Sequence, residues 1–303
     1  MNIIFGPINS RRFGKSLGID LSPNKKQCNF DCLYCELEKS KTILEYQDII
    51  LIEDIVDELK RALKEYQDIS VITVTANGEP TLYPNLNELV DEINSIKGDK
   101  RTLILSNSST IDREDIQQTL LKFDMVKLSL DCASQKCLKK LDRAEKSINI
   151  DDIKRGILAF KNIFKGELII EVLFVKGIND KDTEILKLNN FLEELNPTRI
   201  DIGSIDRPPA YRVEAIDYKQ LREISLKFNP RLPIAITSRK YNSISQNSYS
   251  KEQILNTLKK RPLTQDDIDI LFDEKSKNIF RDLLKSKIKT LNRANQTFFI
   301  VKE

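Results

Sequence analysis

The chain of 303 residues carries 49 Lys and Arg against 46 Asp and Glu, a formal net charge of +3, so overall electrostatics do not announce a nucleic-acid binder. Its length buries a sizeable core and fits one barrel plus a small appendage. No apolar run reaches the ~18 residues of a membrane span, no secretory signal pattern opens the chain, and five cysteines without secretory context point to a reducing, cytoplasmic setting.

In chain order, residues 1–15 are rich in Gly, Pro and Arg and read as a loop or arm, and residues 16–21 as a short strand. The loop that follows contains Cys28-Asn29-Phe30-Asp31-Cys32-Leu33-Tyr34-Cys35. A C-x3-C-x2-C spacing brings three thiolates to one centre. Iron–sulfur clusters are normally held by four cysteines, so three on one loop suggest a cubane with one open iron. An open coordination position is what separates a catalytic metal site from a structural one. The rival is zinc, which wants four ligands; the chain has no histidine, and the only other cysteines are the distant Cys132 and Cys137.

Ile52, Ile55, Val56, Leu59, Leu63 and Tyr66 recur at helical spacing. Residues 71–75 are a β-branched strand. Leu86, Leu89, Val90 and Ile93 mark a helix with Pro84 suited to its first turn. Strands at 102–106, 125–130, 168–175 and 200–204 alternate with further helical patterns, around Ile116 and Leu120, over 153–164, and through Ile185, Leu188, Leu192 and Leu195. Alternating strands and helices imply βα units around a parallel sheet. Six such units predict a partial (β/α)6 TIM-like barrel with its active site at the C-terminal ends of the strands. Asn77-Gly78-Glu79-Pro80, Asn107 and Ser129 follow or end these strands and so face that mouth, and Glu171 lies within the strand at 168–175. Glycine at 78 lets the backbone approach a ligand closely; the alternative is an ordinary turn. Asn107, within Ser106-Asn107-Ser108-Ser109-Thr110, binds a ligand or caps a helix. Glu171, inside an apolar strand, lines the cavity or forms an ion pair, because a buried carboxylate is costly unless engaged. Cys132 and Cys137 read as small buried hydrophobes or as a catalytic thiol at the mouth.

The cysteine loop, with Tyr34 at the aromatic position before the third cysteine, resembles the signature of the radical S-adenosylmethionine (SAM) superfamily. Gly6-Pro7 through Arg12 and Gly14 through Asp20 resemble one branch of it, the Fe–S oxidoreductases grouped with the wybutosine (tRNA-modifying) enzymes. The resemblance runs over roughly the first three quarters of the chain. It implies a [4Fe–4S] cluster on Cys28, Cys32 and Cys35, with SAM chelating the open iron. It implies reductive cleavage of SAM to methionine and a 5′-deoxyadenosyl radical, fed by a one-electron donor of flavodoxin or ferredoxin type. It places the Gly78-Glu79-Pro80 backbone on the methionyl amino group, and Ser129 near the ribose or carboxylate. Asn77 stands where the wider superfamily pattern has glycine.

Residues 237–250 are polar and read as a linker between a barrel at 1–236 and a small domain at 251–303. Three helical patterns, around Ile254, Leu255 and Leu258, around Ile268, Leu271 and Phe272, and around Ile279, Phe280, Leu283 and Leu284, precede a strand at 298–301. Three helices and a hairpin suggest a winged helix. Basic residues crowd toward Lys285, Lys287, Lys289 and Arg293, where such a domain meets a phosphate backbone. The expected function is a radical SAM enzyme acting on tRNA or another RNA. The alternatives are a radical SAM enzyme acting on a protein, peptide or metabolite, and a non-catalytic Fe–S sensor that binds nucleic acid.

Overall fold

The computed structural model describes residues 3–10, 13–236, 248–260, 262–293 and 296–302. Eight strands form one sheet in chain order: β1 (Ile4–Ser10), β2 (Gly14–Asp20), β3 (Val71–Thr75), β4 (Arg101–Ser106), β5 (Met125–Ser129), β6 (Glu167–Phe174), β7 (Arg199–Ser204) and β8 (Ile234–Ile236). From β2 to β8 every pairing is parallel. The crossovers carry α1 (Ile52–Glu65), α2 (Leu86–Ile96), α3 (Glu114–Leu120), α4 (Gln135–Leu141), α5 (Ile150–Ile163), α6 (Asp182–Leu195) and α7 (Tyr218–Ser225). This α/β arrangement is consistent with a partial TIM-like barrel.

Two edges differ from the sequence reading. Residues expected as an N-terminal arm form β1, antiparallel to β2, with the register shifting between Phe5 and Ile8. The irregularity hides the strand from a period-two pattern, while pairing satisfies the edge that an open parallel sheet leaves exposed. At the other edge β8, three residues long, adds a seventh parallel strand. Pro84 lies before α2 rather than in its first turn, because the helix begins at Leu86 with Asn85 as N-cap.

The two faces of the sheet have different compositions. Ile19, Ile72, Val74, Ile104, Val126, Leu128, Ile170, Val172, Ile200 and Ile202 are fully buried in one core with Leu59 of α1, Leu89 of α2, Leu120 of α3, Ile157 of α5 and Leu188 of α6. This outer face explains why each helix is amphipathic. The opposite face is apolar only at one end, where Phe13 packs on Val71, Leu103 and Met125. Gly18 is needed there: a Cβ would lie 2.1 Å from the Phe5 ring. Further along, the inner face turns polar. Ser16 and Thr73 share a hydroxyl hydrogen bond of 2.7 Å. Lys127 of β5 pairs with Glu171 of β6 and lies 3.4 Å from Asp201 of β7, which also takes Arg199 at 3.1 Å. The Glu171 carboxylate is therefore engaged across the β5–β6 ladder, the ion-pair alternative of the sequence reading.

Residues 251–301 build a second hydrophobic cluster of their own. α8 (Lys251–Lys260), α9 (Gln265–Leu271) and α10 (Glu274–Leu284) precede a hairpin of β9 (Ile288–Arg293) and β10 (Gln296–Val301). Ile254, Leu258, Phe272, Phe280, Leu283 and Phe299 pack together. Thr264 caps α9 in a reciprocal box with Asp267, as its sequence position suggests. The linker proposed at 237–250 lies outside the described residues over 237–247.

The inner-face charges generate a stability prediction. Lys127→Met removes the cation from two acids, one of them, Asp201, fully buried. The loss should be about 2–3 kcal/mol, at the low end for a broken buried pair because Glu171 is 36% exposed. Urea unfolding of the apo chain should show a lower midpoint at unchanged slope, and Lys127→Arg should recover most of it.

Candidate active site

The segment between β2 and α1 has almost no regular structure, so its backbone needs other partners. Gln27 supplies them. Its N–H donates to the Asn77 carbonyl at 2.9 Å, and its carbonyl accepts from Glu79 N–H at 3.0 Å, a parallel bridge onto Gly78. Its side chain, 1% exposed, accepts from the amides of Gln47 (2.8 Å) and Asp48 (2.9 Å) and donates to Ser22 Oγ (3.1 Å) and the Asp48 carbonyl (2.8 Å). The next residue is Cys28. Gly78 sits at φ +151, and a Cβ there would fall 1.8 Å from the Gln27 carbonyl oxygen. The glycine is thus required first by the cysteine loop.

Cys28 is buried and Cys32 and Cys35 are half-buried, all three as free thiols. Cys28 Sγ accepts from Phe30 N–H at 3.4 Å and from Asn107 Nδ2 at 3.6 Å. Burial pushes the Cys28 thiol up to about 12. It pushes Cys32 well up, with added repulsion from Asp142, Cys28 and Cys35, and raises Cys35 as well. Thiols that burial keeps protonated become ligands when a metal centre compensates their charge. The donor set of three free thiols on one loop, whose thiolates repel one another until a metal centre offsets their charge, fits a three-cysteine cluster.

Around the loop, strand ends close the site. Glu79 is 1% exposed, and four donors take its carboxylate: Thr81 N–H (3.0 Å), Thr81 Oγ1 (2.6 Å), Ser106 Oγ (2.8 Å) and Asn107 N–H (2.6 Å). Its side chain therefore ties the end of β3 to the end of β4, and its backbone is held as well, the N–H on the Gln27 carbonyl and the carbonyl accepting from Leu82 N–H (3.2 Å) and Tyr46 Oη (3.1 Å). Asn77 N–H donates to Asp20 Oδ1 at 2.9 Å, and Pro80 opens a short 3-10 turn. Asn107 Nδ2 also donates to Asn29 Oδ1 at 2.9 Å.

A narrow cleft lies beside the loop, with about 20 Å³ of enclosed space. Tyr34, Asn107, Ser129, Asp131 and Asp142 supply its polar wall, and Phe30, Leu138, Ile150 and Ile153 its apolar wall. The structure thus brings Tyr34, Asn107 and Ser129 together. Glu171 is not among the residues lining this cleft. Asp131 is a brace. Tyr34 Oη donates to its Oδ2 at 2.5 Å, Leu173 N–H donates to its Oδ1 at 2.7 Å, and Asn179 Nδ2 holds its carbonyl at 2.9 Å. Burial raises the Asp131 carboxyl to about 7. Burial, then the neighbouring Asp131, also pushes Asp142 well up, and Asp142 meets the Cys32 thiol. No sequence signal marks Asp142; it comes to the site because the carbonyls of Leu141 and Asp142, at the end of α4, accept from Leu33 N–H (2.9 Å) and Asp31 N–H (3.0 Å).

The Arg207-Pro208-Pro209 loop, after β7, packs on the cysteine loop. Ala210 N–H donates to the Cys35 carbonyl at 2.8 Å, Tyr211 Oη donates to Asp31, and Arg207 pairs with Glu36. Cys132 and Cys137, read as free buried thiols, are joined as a disulfide, because the first turn of α4 brings residue 137 back over 132. Both sulfurs lie within 4.8 Å of a Glu184 carboxylate oxygen. That carboxylate is taken by the amides of Ala133 (2.7 Å) and Ser134 (2.9 Å) and by Ser134 Oγ (2.7 Å), so this trio braces a helix start.

Two outcomes test the site. Anaerobic reconstitution should load about four irons, and Cys28→Ala, Cys32→Ala or Cys35→Ala should each abolish loading in an iron assay, while Cys132→Ser with Cys137→Ser should keep it. Gly78→Ala should lower iron retention together with SAM binding, since its Cβ displaces Gln27 beside Cys28; iron retained at the wild-type level would show that the glycine serves the ligand alone.

Residues 26–188 match the family model described as the Radical SAM superfamily. The "UPF0026 protein" of Helicobacter pylori (strain J99) is 38% identical over 98% of this chain and 96% of its own length. A second "UPF0026 protein", from Methanocaldococcus jannaschii, is 37% identical over 69% of this chain and 65% of its own. Among solved structures, Streptococcus suis SuiB bound to S-adenosylmethionine is similar in fold, with a TM-score of 0.56 and 18% identity over 73% of this chain and 51% of that one. With the three free cysteines on one loop and the cleft beside them, these matches establish that the chain belongs to the radical SAM superfamily, as an enzyme that uses a [4Fe–4S] cluster and S-adenosylmethionine.

Proposed function

We propose that this enzyme cleaves SAM reductively in the cleft and directs the resulting 5′-deoxyadenosyl radical at an RNA substrate, with tRNA as the first candidate. The observation that carries the cleavage reading is the cleft itself, which begins at the cysteine loop and ends in an apolar wall. Cluster and SAM together supply the one-electron cleavage to methionine and the radical. The chain's residues bind, orient and exclude water. Cys28, Cys32 and Cys35 hold the cluster. The Gly78-Glu79-Pro80 backbone, rigid because four donors fix Glu79, receives the methionyl amino group. Asn107 and Ser129 offer polar contacts, Tyr34 is locked by Asp131, and Phe30, Ile150 and Ile153 give a flat base an apolar wall. Glu171, paired with Lys127 inside the barrel, faces substrate rather than SAM in this reading.

The RNA reading rests on residues 251–303, proposed as a winged helix joined to the barrel domain of 1–236 by the 237–250 linker. Twelve Lys and Arg stand against eight Asp and Glu there. Lys285, Lys287 and Lys289 are exposed at the end of α10 and along β9, where a winged helix meets phosphates.

Reduced holoprotein with SAM should release 5′-deoxyadenosine, and tRNA from a strain lacking the enzyme should raise that release several-fold over wild-type tRNA. Nucleoside mass spectrometry of the two tRNA pools should show a missing modification. Identical pools with no stimulation would move the substrate to a protein, peptide or metabolite, and no 5′-deoxyadenosine under any condition would overturn the cleavage reading.

A further inference from the structure

The outside of the cysteine loop is built differently from its cleft side. Asp31, between the first two cysteines, is 5% exposed and draws three partners inward: Lys26 Nζ at 3.1 Å, Arg143 Nε at 3.3 Å and the Tyr211 hydroxyl. The Tyr211 ring is flanked by two cations, with Lys39 Nζ 4.4 Å and Arg143 Cζ 4.8 Å from its centroid. Arg207 takes Glu36. Asp31 and Glu36 are thus engaged in internal pairs. Over residues 24–41, 143–147 and 206–212, the exposed charged side chains are Lys25, Lys39, Lys41, Arg143, Lys146 and Arg212 against only Glu38 and Asp206. None of these eight residues lines the cleft.

This surface stands one layer of residues from the cysteines, since Ala210 N–H donates directly to the Cys35 carbonyl and Tyr211 to Asp31. We propose that the cationic surface centred on Lys39, Tyr211 and Arg143 docks a small acidic one-electron carrier protein, of flavin or iron–sulfur type. The inference rests on the reductive chemistry proposed above and names where its electron enters. Electron-transfer encounters are small, below about 1,200 Å² of buried surface, and electrostatics supply their speed more than their tightness. Two cations on one anchored aromatic ring, with Lys25, Lys41, Lys146 and Arg212 exposed on the segments that carry them, suit such an encounter. In the step, the carrier loses one electron and the cysteine-held centre gains it, with no proton or group transferred. An RNA would need the patch to continue into the substrate's path, whereas these residues contact the outside of the loop and leave the cleft untouched.

The test compares two reductants on anaerobically reconstituted full-length protein. An acidic flavodoxin in its hydroquinone form should bind in calorimetry with affinity that falls as ionic strength rises, and should reduce the protein in stopped flow. Lys39→Glu with Lys41→Glu should slow that reduction by about tenfold or more, the size of a lost electrostatic steering effect, and weaken binding. Dithionite, which needs no docking, should reduce the variant and drive SAM cleavage at the wild-type rate. Arg212→Glu, on the residue after Tyr211, provides a second variant with the same expected direction. Flavodoxin binding and reduction unchanged in both variants would overturn the proposal, as would loss of tRNA binding with flavodoxin binding intact, which would assign the patch to RNA. Failure of dithionite to support cleavage in the wild type would count against the proposed chemistry, while binding, measured without turnover, would still decide the docking.

Discussion

The backbone bridge between Gln27 and Gly78 is the constraint on which the mouth of this barrel depends. A long irregular loop placed over a parallel sheet has its amides and carbonyls to satisfy and little hydrophobic surface with which to hold itself down. Gln27 meets both needs at once, with its backbone on the end of β3 and its side chain buried among the returning strands of the loop. Cys28 follows directly, so the position of the first thiol is tied to the rigid sheet rather than to the loop. The glycine that permits this approach has no room for a Cβ, so a substitution that adds a side chain there displaces the residue before Cys28.

The strand ends are braced to one another by buried acids, and this gives the site its preorganisation. Glu79 joins β3 to β4, and Asp131 joins β5 to β6 and to the aromatic residue of the cysteine loop. Glu184 caps α4 against the turn that carries Cys132. Each carboxylate meets the cost of burial with convergent donors. Asp142 is the exception, with Oδ1 buried and without a hydrogen-bond partner among the described residues, and it faces the Cys32 thiol inside the cleft. A buried polar atom held at the edge of a ligand site is where an incoming donor is rewarded.

The outer side of the loop completes the division of labour. The segment after β7 presses on the cysteine loop through Ala210, Tyr211 and Arg207, neutralising its acids and leaving lysines and arginines at the surface. One side of the thiols is therefore a narrow cleft with a polar and an apolar wall, and the other is a charged exterior.

Much of this was legible in the chain itself. The three-cysteine spacing, the six principal strands and the apolar faces of α1, α2 and α6 follow from short-range patterns, because helical and strand periodicity are local properties that burial enforces on each element separately. What depended on pairing between distant segments was decided only by the tertiary structure. The composition of residues 1–15 hides β1, whose existence requires β2 as a partner. Nothing local distinguishes Glu79, whose carboxylate turns inward to β4, from Glu171, whose carboxylate meets Lys127 on the neighbouring strand, since each is simply an acid at or near a strand end. Cys132 and Cys137 read as two buried thiols until α4 folds one over the other, and Asp142 has no motif at all. A side chain's partner is set by which strands lie next to each other, and that information is a property of the assembled sheet rather than of any stretch of sequence.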